Sequence, residues 1–238
     1  MSFLIIIPTY NENANIKNII NEIFSIVSKN EKCNILIVDD NSPDKTAEVI
    51  KEMQSSKYKD KLFLLLRKDK KGFASAYIDG YRWGLERDYK YFLEMDADFS
   101  HDPKYINTML DNIKKYDFVI GSRNINGAKV EGWPFWRNFL SKGGSIYSRL
   151  ILNCPIKDLT GGFNMWKRET INGIELDTII SQGYSFLLEK KYRAYKKGYK
   201  FLEIPIVFKN RVFGESKISK KIFFEAIINV WKIKFLKK

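Results

Sequence analysis

Five short apolar runs divide the first half of the chain, at residues 2–8 (SFLIIIP), 35–38 (ILIV), 62–66 (LFLLL), 91–95 (YFLEM) and 118–120 (FVI). Runs of this length, nearly unbroken by polar residues, predict strands covered on both faces, as in a parallel sheet. The segments between them change period. Ile16, Ile19, Ile20, Ile23, Phe24 and Val27 fall on one face of a helix that Asn11 or Asn13 is placed to cap, and Ala47, Val49, Ile50 and Met53 mark a second helix behind Asp44. Residues 72–85 predict a third helix with small residues at Ala74, Ala76, Gly80 and Gly84. Ile106, Met109, Leu110 and Ile113 predict a fourth, with Asp102 as its cap and Pro103 as its first residue. Strand and helix in strict alternation imply an α/β fold, a mostly parallel sheet flanked by helices, whose ligands bind beyond the carboxyl ends of the strands.

After residue 123 the alternation stops. The pattern predicts a loop over 124–134, a helix over 137–152, a glycine-punctuated turn at 158–164 (DLTGGFN), a helix over 184–197, a strand over 203–208 and a loop over 209–219. Residues 220–235 are helical by period, with Lys221, Glu225, Asn229 and Lys232 as a narrow polar stripe and Ile222, Phe223, Phe224, Ile227, Ile228, Val230, Trp231, Ile233 and Phe235 over the rest. So wide an apolar surface must be covered, either by the body of the protein or by a membrane surface or membrane partner. The chain therefore reads as one domain over 1–219, in halves 1–123 and 124–219, followed by a basic amphipathic C-terminal helix over 220–238.

Composition adjusts this picture in two ways. The net charge is +13, from 41 Lys and Arg against 28 Asp and Glu, which favours anionic partners unless it only records a lysine-rich genome. Residues 217–238 hold seven Lys and one Glu, the lysines suited to anionic headgroups. Cys33 and Cys154 have no metal or redox spacing, no segment resembles a signal peptide, and no run of 18 apolar residues occurs, so a cytoplasmic protein that does not itself span a membrane is expected.

The candidate chemistry gathers at the predicted strand ends. The fourth strand breaks into Asp96-Ala97-Asp98, and residues two apart on extended backbone point the same way, so both carboxylates can face one hard cation such as Mg²⁺ or Mn²⁺. The first strand delivers PTYNE at 8–12, the second DDNS at 39–42 and the fifth Gly121-Ser122-Arg123. Neither GxGxxG nor a Walker lysine loop is present, which argues against a dinucleotide oxidoreductase or a P-loop NTPase. The single histidine, His101, reads as a loop residue rather than a base.

Taken in order, PTYNE at 8–12, VDDNSPD at 38–44, DADFSH at 96–101, GSR at 121–123 and RVFGESK at 211–217 resemble the polyprenol-phosphate (dolichyl-phosphate) mannosyltransferases, inverting glycosyltransferases of the GT-A fold. The resemblance implies transfer of mannose from GDP-mannose to a polyprenyl phosphate with inversion, leaving polyprenyl-phosphate sugar and GDP. It places the guanosine on Pro8, Tyr10, Glu12, Val38 and Asp40. It places the diphosphate and its Mg²⁺ or Mn²⁺ on Asp96, the backbone around Ala97, and Asp98, with Ser100 as a further metal ligand where the family usually has Gln. Arg123, Arg211 and Lys217 would contact phosphates and, with Asp98, form the catalytic set. The family's GYSFQIE appears as GYSFLLE at 183–189, retaining Glu189 and replacing Gln by Leu187. By the same resemblance 1–123 is the nucleotide-sugar half and 124–219 the acceptor half, and the protein works peripherally at the cytosolic face of a membrane, held by the lipid surface or by a small anchoring subunit. A related enzyme using UDP-glucose or UDP-GlcNAc on a polyprenyl phosphate or surface glycan is the alternative. A nucleic-acid-binding module, raised by +13, is disfavoured because the charge clusters in the tail and beside acids that repel a phosphate backbone.

Overall fold

The computed structural model describes residues 2–27, 32–69, 72–210 and 220–235, the last stretch with side chains only from 228 onward. The predicted alternation is present: β1 (Ser2–Thr9), α1 (Asn13–Ile26), β2 (Lys32–Asp39), α2 (Thr46–Ser56), β3 (Leu62–Leu66), α3 (Phe73–Leu85), β4 (Tyr91–Glu94), α4 (Ile106–Asn112) and β5 (Phe118–Ser122). The second half supplies β6 (Lys129–Glu131), α5 (Phe135–Leu152), β7 (Asn164–Lys167), α6 (Arg168–Gly173), α7 (Tyr184–Lys196), β8 (Phe201–Pro205), β9 (Val207–Lys209) and α8 (Lys220–Phe235).

One seven-stranded sheet runs β3-β2-β1-β4-β7-β5-β8, all parallel except β7, which lies antiparallel between β4 and β5 with Leu93 opposite Met165. Strand parity separates two layers of core. Phe3, Ile5 and Ile7 face α1, α2 and α4, while Leu4, Ile6, Leu36 and Val38 face α3, α7 and the end of α8. The small residues of α3 let that helix lie close: a Cβ on Gly80 would stand 2.6 Å from Ile6 Cγ2, and one on Gly84 2.5 Å from Phe92 Cε1.

Some expectations are corrected. Glu12, not Asn11 or Asn13, stands at the cap of α1. Asn11 is left-handed at φ 61°, and the Asn13 amide donates instead to Asp44 Oδ2 across the loop. Asp102 does cap its turn, accepting from the Lys104 amide, but the Pro103–Tyr105 segment is 3₁₀ before α4 begins. The strand expected over 203–208 is two strands. β8 pairs with β5 as far as Pro205 opposite Ser122, the Ile206 amide still donates to the Ser122 carbonyl, and the chain then leaves to pair β9 with β6 in a separate two-stranded sheet. In α8, Val230 and Ile233 are buried whereas Ile228, Trp231 and Phe235 are exposed, so its apolar surface is divided between body and outside. Among the described residues no helix is long and apolar enough to cross a membrane.

Candidate active site

The carboxyl ends of β1, β2 and β4 lie side by side, and their loops are tied together by side chains. Asp39, fully buried, accepts from Thr9 Oγ1 (2.7 Å), the Ser42 amide (2.8 Å) and Ser42 Oγ (2.6 Å). Asp44 takes the Asn13 and Thr46 amides, both at 3.0 Å, and the Glu12 amide donates to Thr46 Oγ1. These bonds satisfy loop N–H groups that no helix or ladder can reach. Asp40 faces Gly72 and Arg67: its Oδ2 accepts the Gly72 amide (3.1 Å) and its Oδ1 pairs with Arg67 Nη1 (2.8 Å). Arg67 also meets Asp79 and Ser75 Oγ. It was missed from the sequence, although its position directly after the 62–66 run puts it at a strand's carboxyl end.

Pro8, Tyr10 and Glu12 are half-buried on the β1 loop, and Glu12 Oε2 accepts from Asn15 Nδ2 at 2.8 Å. Strand parity turns the Val38 side chain into the α3 layer, where it has no exposed surface and would lie 3.3 Å from a Cβ on Gly80, so that only its backbone is left to face the strand ends.

The Asp96–Asp98 loop departs from the extended backbone assumed for it, since β4 already ends at Glu94. The Asp96 side chain is 49 % exposed, Ala97 is buried and Asp98 is 6 % exposed, with Asp98 Oδ1 accepting the Ser100 amide at 3.0 Å. Phe99 adopts a left-handed φ of 63°, which closes the loop so that Ser100 and His101 turn inward. His101 Nδ1 accepts the Asp96 amide (3.0 Å), and its ring stacks on Phe163 at 5.0 Å. Burial pushes this imidazole down to about 4 despite the opposing pull of Asp98. His101 is thus a neutral brace for the loop. Two carboxylates and a hydroxyl are hard oxygen donors, and no cluster of three or more His, Cys, Asp or Glu side chains that could hold a metal occurs among the described residues. That donor set fits a cation that completes its shell with water and phosphate oxygens.

Arg123 is placed differently from a free phosphate ligand. Its amide and Nε reach Asp158 Oδ2, both at 2.8 Å, and Nη2 reaches Asp158 Oδ1 (2.7 Å) and Thr160 Oγ1 (3.0 Å). The guanidinium holds the Asp158 carboxyl well below the usual carboxylate range in spite of complete burial. The fork that the sequence assigns to phosphates is, in this structure, bound to the 158–164 turn. Arg211 and Lys217 lie outside the described residues. Leu187 is buried beside Gly162, and Glu189 accepts the Ser181 amide (3.0 Å) and pairs with Arg193, so both serve the interior of α7.

An apolar surface adjoins the site. Trp133 packs edge-on to Phe208, and Arg123 lies over the Phe208 ring at 5.3 Å. Immediately after it α5 begins, with Phe135, Trp136 and Phe139 exposed at 87 %, 66 % and 72 %. The last turns of α8 pack along the later turns of α5, Trp231 Nε1 donating to Tyr147 OH at 2.8 Å and Lys234 Nζ to the Ile151 carbonyl.

A parallel sheet carrying a paired-acid loop at the end of β4 is the architecture of GT-A glycosyltransferases, and solved structures agree. Glucosyl-3-phosphoglycerate synthase from Mycobacterium tuberculosis superposes over 100 % of this chain and 81 % of its own with a TM-score of 0.72, at 12 % identity, and its structures include complexes with UDP and Mn²⁺. The glycosyl transferase family 2 model matches residues 4–174, and the chain belongs to that family. Within it the chain groups with the polyprenol-phosphate mannosyltransferases. It is 38 % identical to an undecaprenyl-phosphate mannosyltransferase of Micrococcus luteus over 97 % of this chain and 93 % of that one. It is also 38 % identical to the polyprenol monophosphomannose synthase of Mycolicibacterium smegmatis (95 % and 84 %), and 37 % identical to the dolichol-phosphate mannosyltransferase of Pyrococcus furiosus (98 % and 64 %).

Proposed function

We propose that this glycosyltransferase moves mannose from GDP-mannose to a polyprenyl phosphate, with inversion at the anomeric carbon. The observation that carries this reading is the adjacency of two unlike surfaces: an acid-bearing loop at the end of β4, and, past Arg123 and Phe208, an exposed aromatic helix face suited to a lipid-borne acceptor. Asp40, with Pro8, Tyr10 and Glu12, would receive the nucleoside, Asp40 being aimed by Arg67 and the Gly72 amide. Asp96, Asp98 and Ser100 would hold Mg²⁺ or Mn²⁺, whose charge offsets the negative charge that grows on the departing diphosphate. An acceptor phosphate is already an anion near neutral pH and attacks without a general base, which agrees with a His101 that is buried and whose Nδ1 is engaged. Arg211 and Lys217 are assigned to the phosphates of the closed complex. On this reading the donor is held by residues within 1–123 and the acceptor by residues within 124–219.

The acceptor's hydrocarbon stays in a bilayer, so the enzyme must reach the headgroup from the surface. Phe135, Trp136 and Phe139 of α5, with Trp231 and Phe235 of α8 and the flanking cations Arg137, Lys142, Lys232 and Lys234, form the face that would meet anionic lipid at the cytosolic side. A small anchoring subunit covering the same face is the other arrangement. The test is transfer from GDP-mannose, UDP-glucose or UDP-GlcNAc to polyprenyl phosphate in anionic vesicles, with Mn²⁺, Mg²⁺ or EDTA. Mannosyl lipid formed from GDP-mannose and abolished by EDTA is expected; transfer from a UDP-sugar in preference, or undiminished transfer in EDTA, would overturn the donor or the metal assignment respectively.

A further inference from the structure

The turn at 158–164 is held from beneath by a side chain with no part in the chemistry above. Lys191, in the middle of α7, has no exposed surface, and its Nζ donates to the carbonyls of Asp158 (2.8 Å) and Gly161 (2.7 Å). The three residues after Thr160 then reach the paired-acid loop by three separate routes. The Gly161 carbonyl also accepts from Asn164 Nδ2 (3.0 Å), and the same amide group donates to Glu94 Oε2 (2.8 Å), two residues before Asp96. Gly162 passes so close that a Cβ on it would stand 3.4 Å from His101 Cε1 and 3.9 Å from Asp96 Oδ2. Phe163 stacks on His101, which accepts the Asp96 amide.

A fully buried ammonium is costly, and an apolar side chain of similar length fills such a position at less expense. Here Lys191 sits close to the Asp158 carboxylate and also to Arg123, whose positive charge opposes it, and burial brings its amine down to about 8. What it supplies in return is two hydrogen bonds to carbonyls of a turn that belongs to no helix or ladder. We propose that Lys191 is a positioning residue: by fixing the Gly161–Gly162 turn it sets the place of Asp96 against the donor diphosphate. This rests on the reading of the Asp96–Asp98 loop as the diphosphate site.

The test is Lys191→Met in the full chain, which keeps the length of the side chain and removes its donors. Two measurements are made well below the melting temperature. Amide exchange is expected to quicken about tenfold or more at 161–163 and at Asp96 while β1 and β2 are unchanged. Steady-state transfer is expected to lose about tenfold or more in kcat with donor KM changed by less than about threefold, since the nucleoside end of the site is held by other contacts. Unchanged exchange at Asp96 overturns the proposal, and so does faster exchange with normal kcat, which would make Lys191 a stability residue only. Should Lys191→Met not fold, Lys191→Leu, smaller and likewise without a donor, is read against the same two criteria. If the wild-type protein transfers no sugar from any donor, the functional reading fails, and the exchange measurement still decides whether Lys191 sets the loop.

Discussion

The two flanks of the Asp96–Asp98 loop handle charge and apolar surface in opposite ways. On the side of the 158–164 turn, Asp158, Glu94, Lys190 and Lys191 have no exposed surface, and each charge is met inside: Asp158 by Arg123, Glu94 by Lys190, and Lys190 further by Tyr81 OH and a cage of rings that includes Trp166 at 4.7 Å. On the α5 side, large rings stand in the open and the cations lie beside them. Buried charges tolerate one geometry only, because loss of a partner leaves an uncompensated charge in a low-dielectric interior. An open apolar face has no such requirement until something covers it. The rigid flank is suited to fix the reacting groups, and the open flank to receive a partner that arrives from outside.

Removing the centre of the rigid flank should have the largest effect. Asp158→Ala strands the buried Arg123 guanidinium without its carboxylate and is expected to cost ~3–5 kcal/mol in urea unfolding. Because burial is outweighed by Arg123 and the folded carboxyl is held low, the stabilisation by Asp158 is complete above its unfolded pKa of about 3.9 and is lost only as pH falls through the folded value. The gap between wild type and Asp158→Ala should therefore persist from pH 7 down to about 4 and close only in stronger acid; a gap that has vanished at pH 5 would contradict the buried pair.

Asp98→Asn sharpens the contrast at the loop itself. The amide oxygen can still accept from the Ser100 amide, so the melting curve should stay close to wild type, while transfer falls by about 10²–10³-fold because the cation that faces the diphosphate loses an anionic ligand. Asp98→Ala is the poorer experiment, since it also opens a buried turn. Turnover of Asp98→Asn within a few fold of wild type would remove Asp98 from the metal site.

The smallest effect on the fold is expected on the open flank. Trp136→Ser with Phe139→Ser should leave folding stability within about 0.5 kcal/mol, because both rings are already exposed. The same pair should reduce co-sedimentation with anionic vesicles and transfer to vesicle-borne acceptor, with nucleotide binding retained. A large loss of stability would show that these rings are packed, and unchanged sedimentation would show that lipid is met elsewhere.

Legibility from sequence divides along the same lines. The five strands of the first half were readable because each is a short apolar run followed by a turn or cap, signals that act within a few residues. The paired acids and PTYNE were readable as residues at strand ends. The strand β7 was not: NMWK has no useful period, and its place between β4 and β5 is set by pairing partners far along the chain. That the Val38 side chain packs toward α3 was not readable either, because a strand covered on both faces does not announce which residues point to which helix. Lys190 and Lys191, within LLEKKYRAYKK, look like the solvated side of a helix. They are buried because α7 lies under the 158–164 turn and against the ring-rich layer of the sheet.

By itself, then, the sequence determined the element order through 123, the α/β class, and the chemical character of the strand-end loops, since periodicity, capping and turn residues are local physical preferences. Tertiary structure alone decided that Arg123 faces Asp158, that two lysines of one helix go to the interior while the rings of another stay outside, and that the Gly161–Gly162 turn lies against Asp96. Burial and charge pairing depend on which segments meet after long stretches of chain have closed into loops, and no window of sequence contains both members of such a pair.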